Sequence, residues 1–189
     1  MKLIVGISGA TGAIYGVRLL EALRKVPGIE THLILSDPAK RTITFETNYT
    51  VAQVEALATQ NYDLKDIGAA VASGSFRTEG MVIAPCSIKT LSALANSYND
   101  NLLVRAGDVC LKEGRKLVVV VRETPLHQGH LRLALTLSQM GAIILPPIPA
   151  FYHKPKSIDD IVNHTIGKIL DQFGIDNQLF KHWQGMEED

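Results

Sequence analysis

LIVGISGATGAIYGVRLLEALRK (residues 3–25), followed closely by ETHLILS (30–36), decides the fold. Leu3 to Ile7 is a short unbroken apolar run, the pattern of a parallel strand covered on both faces. Ser8 to Gly12 is a turn of glycines and small residues. From about Ile14 to Lys25 apolar residues recur at helical spacing, Val17, Leu19, Leu20 and Leu23 among them, and Pro27-Gly28 ends the helix. Thr31 to Ser36 then reads as a second strand. A strand–helix–strand unit of this length closes with a right-handed crossover.

The rhythm recurs down the chain. Met81 to Ala84 reads as a strand ending in Pro85-Cys86-Ser87, with a helix from about Lys89. Leu117 to Val121 is a leucine and four valines, and Ala142 to Leu145 is a further apolar run stopped by Pro146-Pro147. Helical patterns cover about 102–113, 131–140 and 158–173. Alternating strands and helices with short connections predict an α/β fold: a doubly wound parallel sheet, a Rossmann/flavodoxin-like three-layer sandwich, with residues 1–189 as one domain. Two segments depart from the pattern. Residues 40–79 read as weakly helical, ending in a flexible Ser73-Gly74-Ser75. Residues 146–157 (PPIPAFYHKPKS) are proline-rich and stiff, suited to reaching a neighbouring subunit, as is the tail near Trp183.

Composition narrows the function classes. Of 189 residues, 46% are hydrophobic and 20% charged, and lysine plus arginine balances aspartate plus glutamate at 19 each. Bulk charge therefore offers nothing to nucleic acid, and no apolar run reaches membrane-spanning length. Two cysteines, Cys86 and Cys110, without metal-ligand spacing suit a reducing compartment, and a cytoplasmic protein is expected.

In an open parallel sheet, ligands bind beyond the carboxyl ends of the strands. The residues there are Ser8-Gly-Ala-Thr-Gly12, Ser36, Pro85-Cys-Ser-Ile-Lys-Thr90 and Arg122-Glu123. Hydroxyls, small residues and fixed cations at helix starts suit a phosphate-bearing ligand. The glycine spacing, Gly6-x-x-Gly9-x-x-Gly12, is not the dinucleotide fingerprint G-x-G-x-x-G. A helix cap explains Ser87 alone, whereas phosphate binding explains Ser87, Lys89 and Thr90 together. Arg105 and Lys112 share one helix face, by themselves a pattern of solvated cations. Arg122 closes an all-apolar strand, where a charge must be paired or face a ligand. His127 and His130 lack a third metal ligand at suitable spacing, and Cys86 reads as a small buried filler.

These stretches, together with PCSIKTLS, LKEGRKLV, VRETPLH and PAFYHKP in this order, resemble the UbiX-type flavin prenyltransferases along nearly the whole chain. The resemblance implies FMN held by Gly9, Ala10, Thr11, Ser36, Ser87, Ile88, Lys89, Thr90 and Arg122. It implies dimethylallyl phosphate gripped by Lys112, Arg122, Tyr152 and Lys168, with Glu46 and Glu123 around the flavin ring and phosphate and Thr11 beside the released phosphate. Lys112, Glu123, Arg122, Glu46 and Thr11 are thus the catalytic candidates, and no metal is implied. The family's site lies between subunits of a twelve-chain shell. Its product, prenylated FMN, serves a UbiD-type decarboxylase in ubiquinone synthesis or aromatic acid decarboxylation, and a flavin reductase supplies reduced FMN. This chain has Thr11 where many members have serine, Lys168 where many have arginine, and Asp37-Pro38 in place of lysine-alanine. A non-catalytic FMN carrier would leave Lys112, Tyr152 and Lys168 without a role. A peptidyl-cysteine decarboxylase needs a histidine base and a peptide clamp that the sequence does not display. An NAD-dependent dehydrogenase needs a different glycine spacing.

Overall fold

The computed structural model describes residues 1–183 and 185. Six strands form one parallel sheet: β1 (Lys2–Ile7), β2 (Glu30–Leu35), β3 (Gln60–Tyr62), β4 (Gly80–Cys86), β5 (Lys116–Val121) and β6 (Ile143–Ile144), in the order β3-β2-β1-β4-β5-β6. Among the described residues seven α-helices cover it: α1 (Ala13–Arg24), α2 (Asp37–Glu46), α3 (Val51–Glu55), α4 (Ile88–Ala95), α5 (Leu102–Lys112), α6 (Gln128–Gln139) and α7 (Ile158–Gln172).

Side chains alternate across a strand, so each central strand feeds two cores. Leu3, Val5 and Ile7 of β1 and Val118 and Val120 of β5 pack with Val17 and Leu20 of α1 and Ile166 and Ile169 of α7. Ile4, Leu117 and Val119 face the other way, against Leu91 of α4, Leu103 of α5 and Leu137 of α6. Burial on both faces is why these strands are apolar at every position rather than at alternate ones. The result is the three-layer α/β arrangement expected from the sequence. Helix α1 lies very close to the sheet: a Cβ built on Gly16 would sit 2.4 Å from the Ala84 carbonyl oxygen and 2.6 Å from Ile7 Cδ1. The glycine that permits tight helix–sheet packing is therefore Gly16, beyond the turn that the sequence singles out.

The segment 40–79 differs from its weakly helical reading. It contains the end of α2, the short α3, the strand β3 and a single 3-10 turn at Ala70–Ala72. β3 is polar (Gln60, Asn61, Tyr62), pairs only with β2, and leaves its outer edge to solvent, so it carries no apolar run to betray it. Ser73-Gly74-Ser75, expected to be flexible, and the flanking residues are held by side chains. Arg115 donates to the Gly74 and Phe76 carbonyls at 2.6 Å each, and Arg105 Nε donates to the Ala72 carbonyl at 3.2 Å. Arg105 is thus a structural clamp rather than a solvated cation. Among the described residues no helix is long and apolar enough to cross a membrane.

Two buried histidines tie stability to pH. His32 sits on β2 with Nδ1 3.0 Å from the Tyr62 hydroxyl, and His164 sits on α7. Burial is the main cause that lowers the proton affinity of both; Lys2 adds to it at His32, and His153 and Lys168 add to it at His164. The folded state then binds fewer protons than the unfolded chain below the ordinary histidine value of about 6.5. Stability is complete above that value and is lost as pH falls beneath it. The melting temperature should drop between pH 7.5 and 5.5, and the drop should be smaller in His32→Leu. A flat profile across this window would remove the histidines from the stability balance. Carboxylates with lowered proton affinity, Glu113 beside Lys112 and Asp160 at the α7 cap, act only at more acidic pH.

Candidate active site at the switch point of the sheet

After β1 the chain crosses to β2 on one side, and after β4 it crosses to β5 on the other. The carboxyl ends of these adjacent strands therefore bound an open crevice. Ser8 joins its two lips. Its buried hydroxyl donates to the Pro85 carbonyl at 2.9 Å and accepts from the Ser87 N–H at 2.8 Å. The turn after β1 and the turn after β4 are thus fixed to each other.

One arm of the crevice, about 260 Å³, is lined by Gly9, Ser36, Pro38, Ser87, Lys89 and Thr90. Ser36 caps α2, accepting from the Ala39 N–H at 3.2 Å, and Ser87 caps α4, accepting from the Thr90 N–H at 3.3 Å. Both use a lone pair in capping, and Ser36 keeps its hydroxyl proton for a ligand, while Ser87 and Thr90 share a hydroxyl–hydroxyl contact of 3.1 Å. Ile88 begins α4, so its N–H is one of the helix's free donors. Lys89 extends into solvent, 4.0 Å from Asp100. Gly9 packs against Pro38: a Cβ there would lie 2.2 Å from Pro38 Cβ. Ala10 turns the loop, its N–H donating to the Ser8 carbonyl at 2.9 Å.

The other arm, about 740 Å³, is lined by Thr11, Tyr15, Arg122, Glu123 and the prolines 146, 147 and 149. Gly12 stands at the N-cap of α1 and offers no side chain, so the helix borrows a cap. Glu46, last residue of α2, brings Oε2 to the Gly12 and Ala13 N–H groups at 2.7 and 3.2 Å. A carboxylate at a helix N-terminus is electrostatically favoured, and it fixes Glu46 at the edge of the crevice. The Arg122 N–H continues the β4–β5 ladder to the Cys86 carbonyl at 3.1 Å, which aims its side chain out of the sheet. Tyr15 is a lining residue that sequence reasoning missed; its position one turn into α1 was the available signal. Burial raises its proton affinity, opposed chiefly by the charge of Arg122, so it stays a neutral phenol at pH 7.

The remaining candidates lie elsewhere. Tyr152 folds onto α7, its hydroxyl 3.2 Å from His164 Nε2, and Trp183 packs edge-on against it at 5.6 Å. Lys168 is one turn beyond His164 on α7, 3.2 Å from Asp171. Lys112 ends α5 and pairs with Glu113, next to Gly74 at the amino edge of the sheet. The six residues of β5 separate it from Arg122, a span of roughly 20 Å at strand rise. Within one protomer Thr11, Arg122, Glu123 and Glu46 converge, Tyr152 and Lys168 form a second group, and Lys112 stands apart.

Cys86 and Cys110 are fully buried, and burial pushes both thiols up, Cys110 to about 12. Neither ionises at neutral pH, in keeping with a filler role. His127 caps α6 through Nδ1, which accepts from the Gly129 N–H at 3.0 Å, and packs on the tilted ring of His130 with centroids 3.6 Å apart.

A family profile described as Flavoprotein matches residues 1–170. A flavin prenyltransferase UbiX of Thauera aromatica is 60% identical over 188 residues, covering 100% of this chain and 96% of its own length. The chain belongs to the UbiX flavin prenyltransferase family. Solved UbiX-family structures agree with the fold. A dodecameric FMN-dependent UbiX-like decarboxylase from Escherichia coli O157:H7 superposes with a TM-score of 0.96 at 53% identity, over 98% of this chain and 100% of its own. A UbiX protein (PadA1), solved in complex with FMN and dimethylallyl pyrophosphate, gives a TM-score of 0.96 at 46% identity, covering 98% of both chains.

Proposed function

We propose that this chain is a flavin prenyltransferase that transfers the dimethylallyl group of dimethylallyl phosphate to N5 and C6 of reduced FMN. The observation that carries the reading is the hydroxyl- and cation-lined crevice at the β1–β4 switch point, in a chain 60% identical along its whole length to a flavin prenyltransferase. The residues present suit a flavin phosphate. Ser36, Ser87 and Thr90 hydroxyls line one arm with Lys89 at its solvent side, and Gly9, packed against Pro38, puts no side chain into it. When bound, reduced FMN supplies the nucleophile that takes the allylic group.

The chain's own residues then act on the donor. Arg122, with Tyr152, Lys168 and Lys112, neutralises the phosphate as the allylic C–O bond breaks, a preorganised stabilisation of departing charge. Fixed cations in this number make a metal unnecessary for that step. Thr11 and Glu123 flank the position of the released phosphate and hold or pass a proton at its oxygens. Glu46, pinned by two N–H groups, presents a fixed carboxylate toward the ring. Because Lys112 lies at the opposite sheet edge, a second copy of the chain must supply it, which favours a site between subunits. Exposed Phe45, Ile148, Phe151 and Ile158, at 69–90% accessibility, suit burial in such an assembly, and a homologue of this family is dodecameric. We place the enzyme in the cytoplasm, receiving reduced FMN from a flavin reductase and passing its product to a UbiD-type decarboxylase.

Anaerobic incubation with reduced FMN and dimethylallyl monophosphate, followed by mass spectrometry of the extracted flavin, tests the reading. A flavin heavier by one prenyl unit, formed over many turnovers without added metal, is the expected result. Recovery of unmodified FMN with both the monophosphate and the diphosphate would replace the enzyme with a flavin carrier.

A further inference from the structure

His164 has no role in the site as described, yet it is buried and packed between aromatic rings. It is 8% exposed. Its ring lies parallel to His153, with centroids 5.2 Å and planes 3° apart, and Phe180 closes it edge-on at 4.7 Å. Packed on two sides by rings, the imidazole cannot rotate freely, and Nε2 is left facing the Tyr152 hydroxyl at 3.2 Å. Lys168 projects from the same face of α7 one turn later.

Burial, reinforced by His153 and Lys168, keeps this ring neutral at pH 7, so it carries one N–H and one acceptor nitrogen. The position of that proton decides what Tyr152 can offer a ligand. When Nε2 accepts, the tyrosine commits its only proton to the histidine and turns lone pairs toward any incoming phosphate, which repel it. When Nε2 carries the proton, it donates to Tyr152 Oη, and the hydroxyl proton is free for a phosphate oxygen. A donor that itself accepts a hydrogen bond is also polarised and strengthened.

We infer that His164 is a positioning residue for the prenyl donor: as the Nε2–H tautomer it donates to Tyr152 and makes the tyrosine hydroxyl a donor to the phosphate. The inference rests on Tyr152 being a phosphate contact in the proposed function. The phosphate dianion selects the tautomer, because only that arrangement gives it a hydrogen bond.

The test uses calorimetric affinity for dimethylallyl monophosphate on FMN-loaded protein, alongside kcat and KM. His164→Phe keeps a ring between His153 and Phe180 but removes Nε2. It should weaken donor binding and raise KM about tenfold, the loss expected for a hydrogen bond to a charged group. FMN affinity should not change, and kcat should fall along with donor affinity, because the Tyr152 hydroxyl also stabilises the phosphate as it departs. His164→Gln carries an amide N–H in a similar place and should restore most of the affinity. Tyr152→Phe should lose at least as much, and His164→Phe should add nothing in that background. If Tyr152→Phe is impaired while His164→Phe binds like the unaltered protein, the positioning role is wrong and the proposed function stands. Equal losses in His164→Phe and His164→Gln, additive with Tyr152→Phe, would reduce His164 to packing. Unaltered affinity in Tyr152→Phe would remove that tyrosine from the site and the inference with it. Absence of binding of both the monophosphate and the diphosphate by the unaltered protein would instead overturn the proposed function.

Discussion

Lys112→Ala lowers turnover by about 10²–10³-fold, the usual cost of deleting one preorganised stabiliser of departing charge, and leaves FMN affinity unchanged. The separation of effects follows from position. Every residue placed near the flavin phosphate lies on the carboxyl edge of the sheet, and Lys112 lies on the amino edge, paired with Glu113 beside Gly74. Its own crevice cannot feel the loss. In the proposed site between subunits a neighbouring copy's crevice would, and that makes a sharper experiment possible. Arg122→Ala should be inactive for a different reason, having lost the cation within its own cleft. Unfolding and reassembling the two inactive variants together in equal amounts should restore about a quarter of normal activity, since random mixing gives about one site in four both intact residues. No recovery, with assembly verified by light scattering, would mean that Lys112 does not act across a subunit boundary. Unchanged turnover in Lys112→Ala alone would remove it from the mechanism.

Gly9→Ala should weaken FMN binding by about 100-fold, a misfit comparable to an overpacked core site. The added methyl would stand 2.2 Å from Pro38 Cβ. Proline is a poor neighbour for such an intrusion, because its ring is fixed to the backbone and cannot swing away as a long side chain would. Either the turn after β1 or the start of α2 must shift, and that shift moves Ser36 away from Ser87 and Thr90. Ser8 makes the strain harder to absorb, since it holds the turn to the Pro85 carbonyl and the Ser87 N–H. Pro38→Gly removes the clashing atom, so Gly9→Ala with Pro38→Gly should recover much of the affinity. Flavin fluorescence titration measures both. Normal FMN binding by Gly9→Ala would show that the turn relaxes freely and that its packing against Pro38 has no bearing on the site.

The Asp37-Pro38 pair illustrates how local and distant information divide. In the sequence it is only a departure from the commoner lysine-alanine, and a proline at the start of a helix is unremarkable. In the fold its ring forms the wall against which Gly9 is fitted. Glu46 has the same character. Its resemblance-based role is next to the flavin ring, but nothing local explains why a carboxylate ending α2 should be fixed there. The reason is the bare N-cap at Gly12, which draws the carboxylate across to two unsatisfied N–H groups.

What the sequence by itself determined is five of the six strands, most of the helices and the chemistry of the strand ends. Strands buried on both faces must be continuously apolar, helices on a sheet must show one apolar face, and the turns between them must be small and polar, so all three are written in consecutive residues. Ser36, Ser87, Thr90 and Arg122 were legible for that reason, because the residue after a buried strand is placed by the strand itself. Only the tertiary structure decided the rest. β3 is a polar edge strand that exists because β2 offers it a partner. Gly16, not a glycine of the turn, sets how near α1 approaches the sheet. Arg105 and Arg115 pin a loop that reads as free. The pairing of Tyr152 with His164 joins the proline-rich segment to the last helix, and Lys112 is separated from Arg122 by the full length of β5. Each of these depends on contacts between residues distant in the chain, which no local pattern encodes.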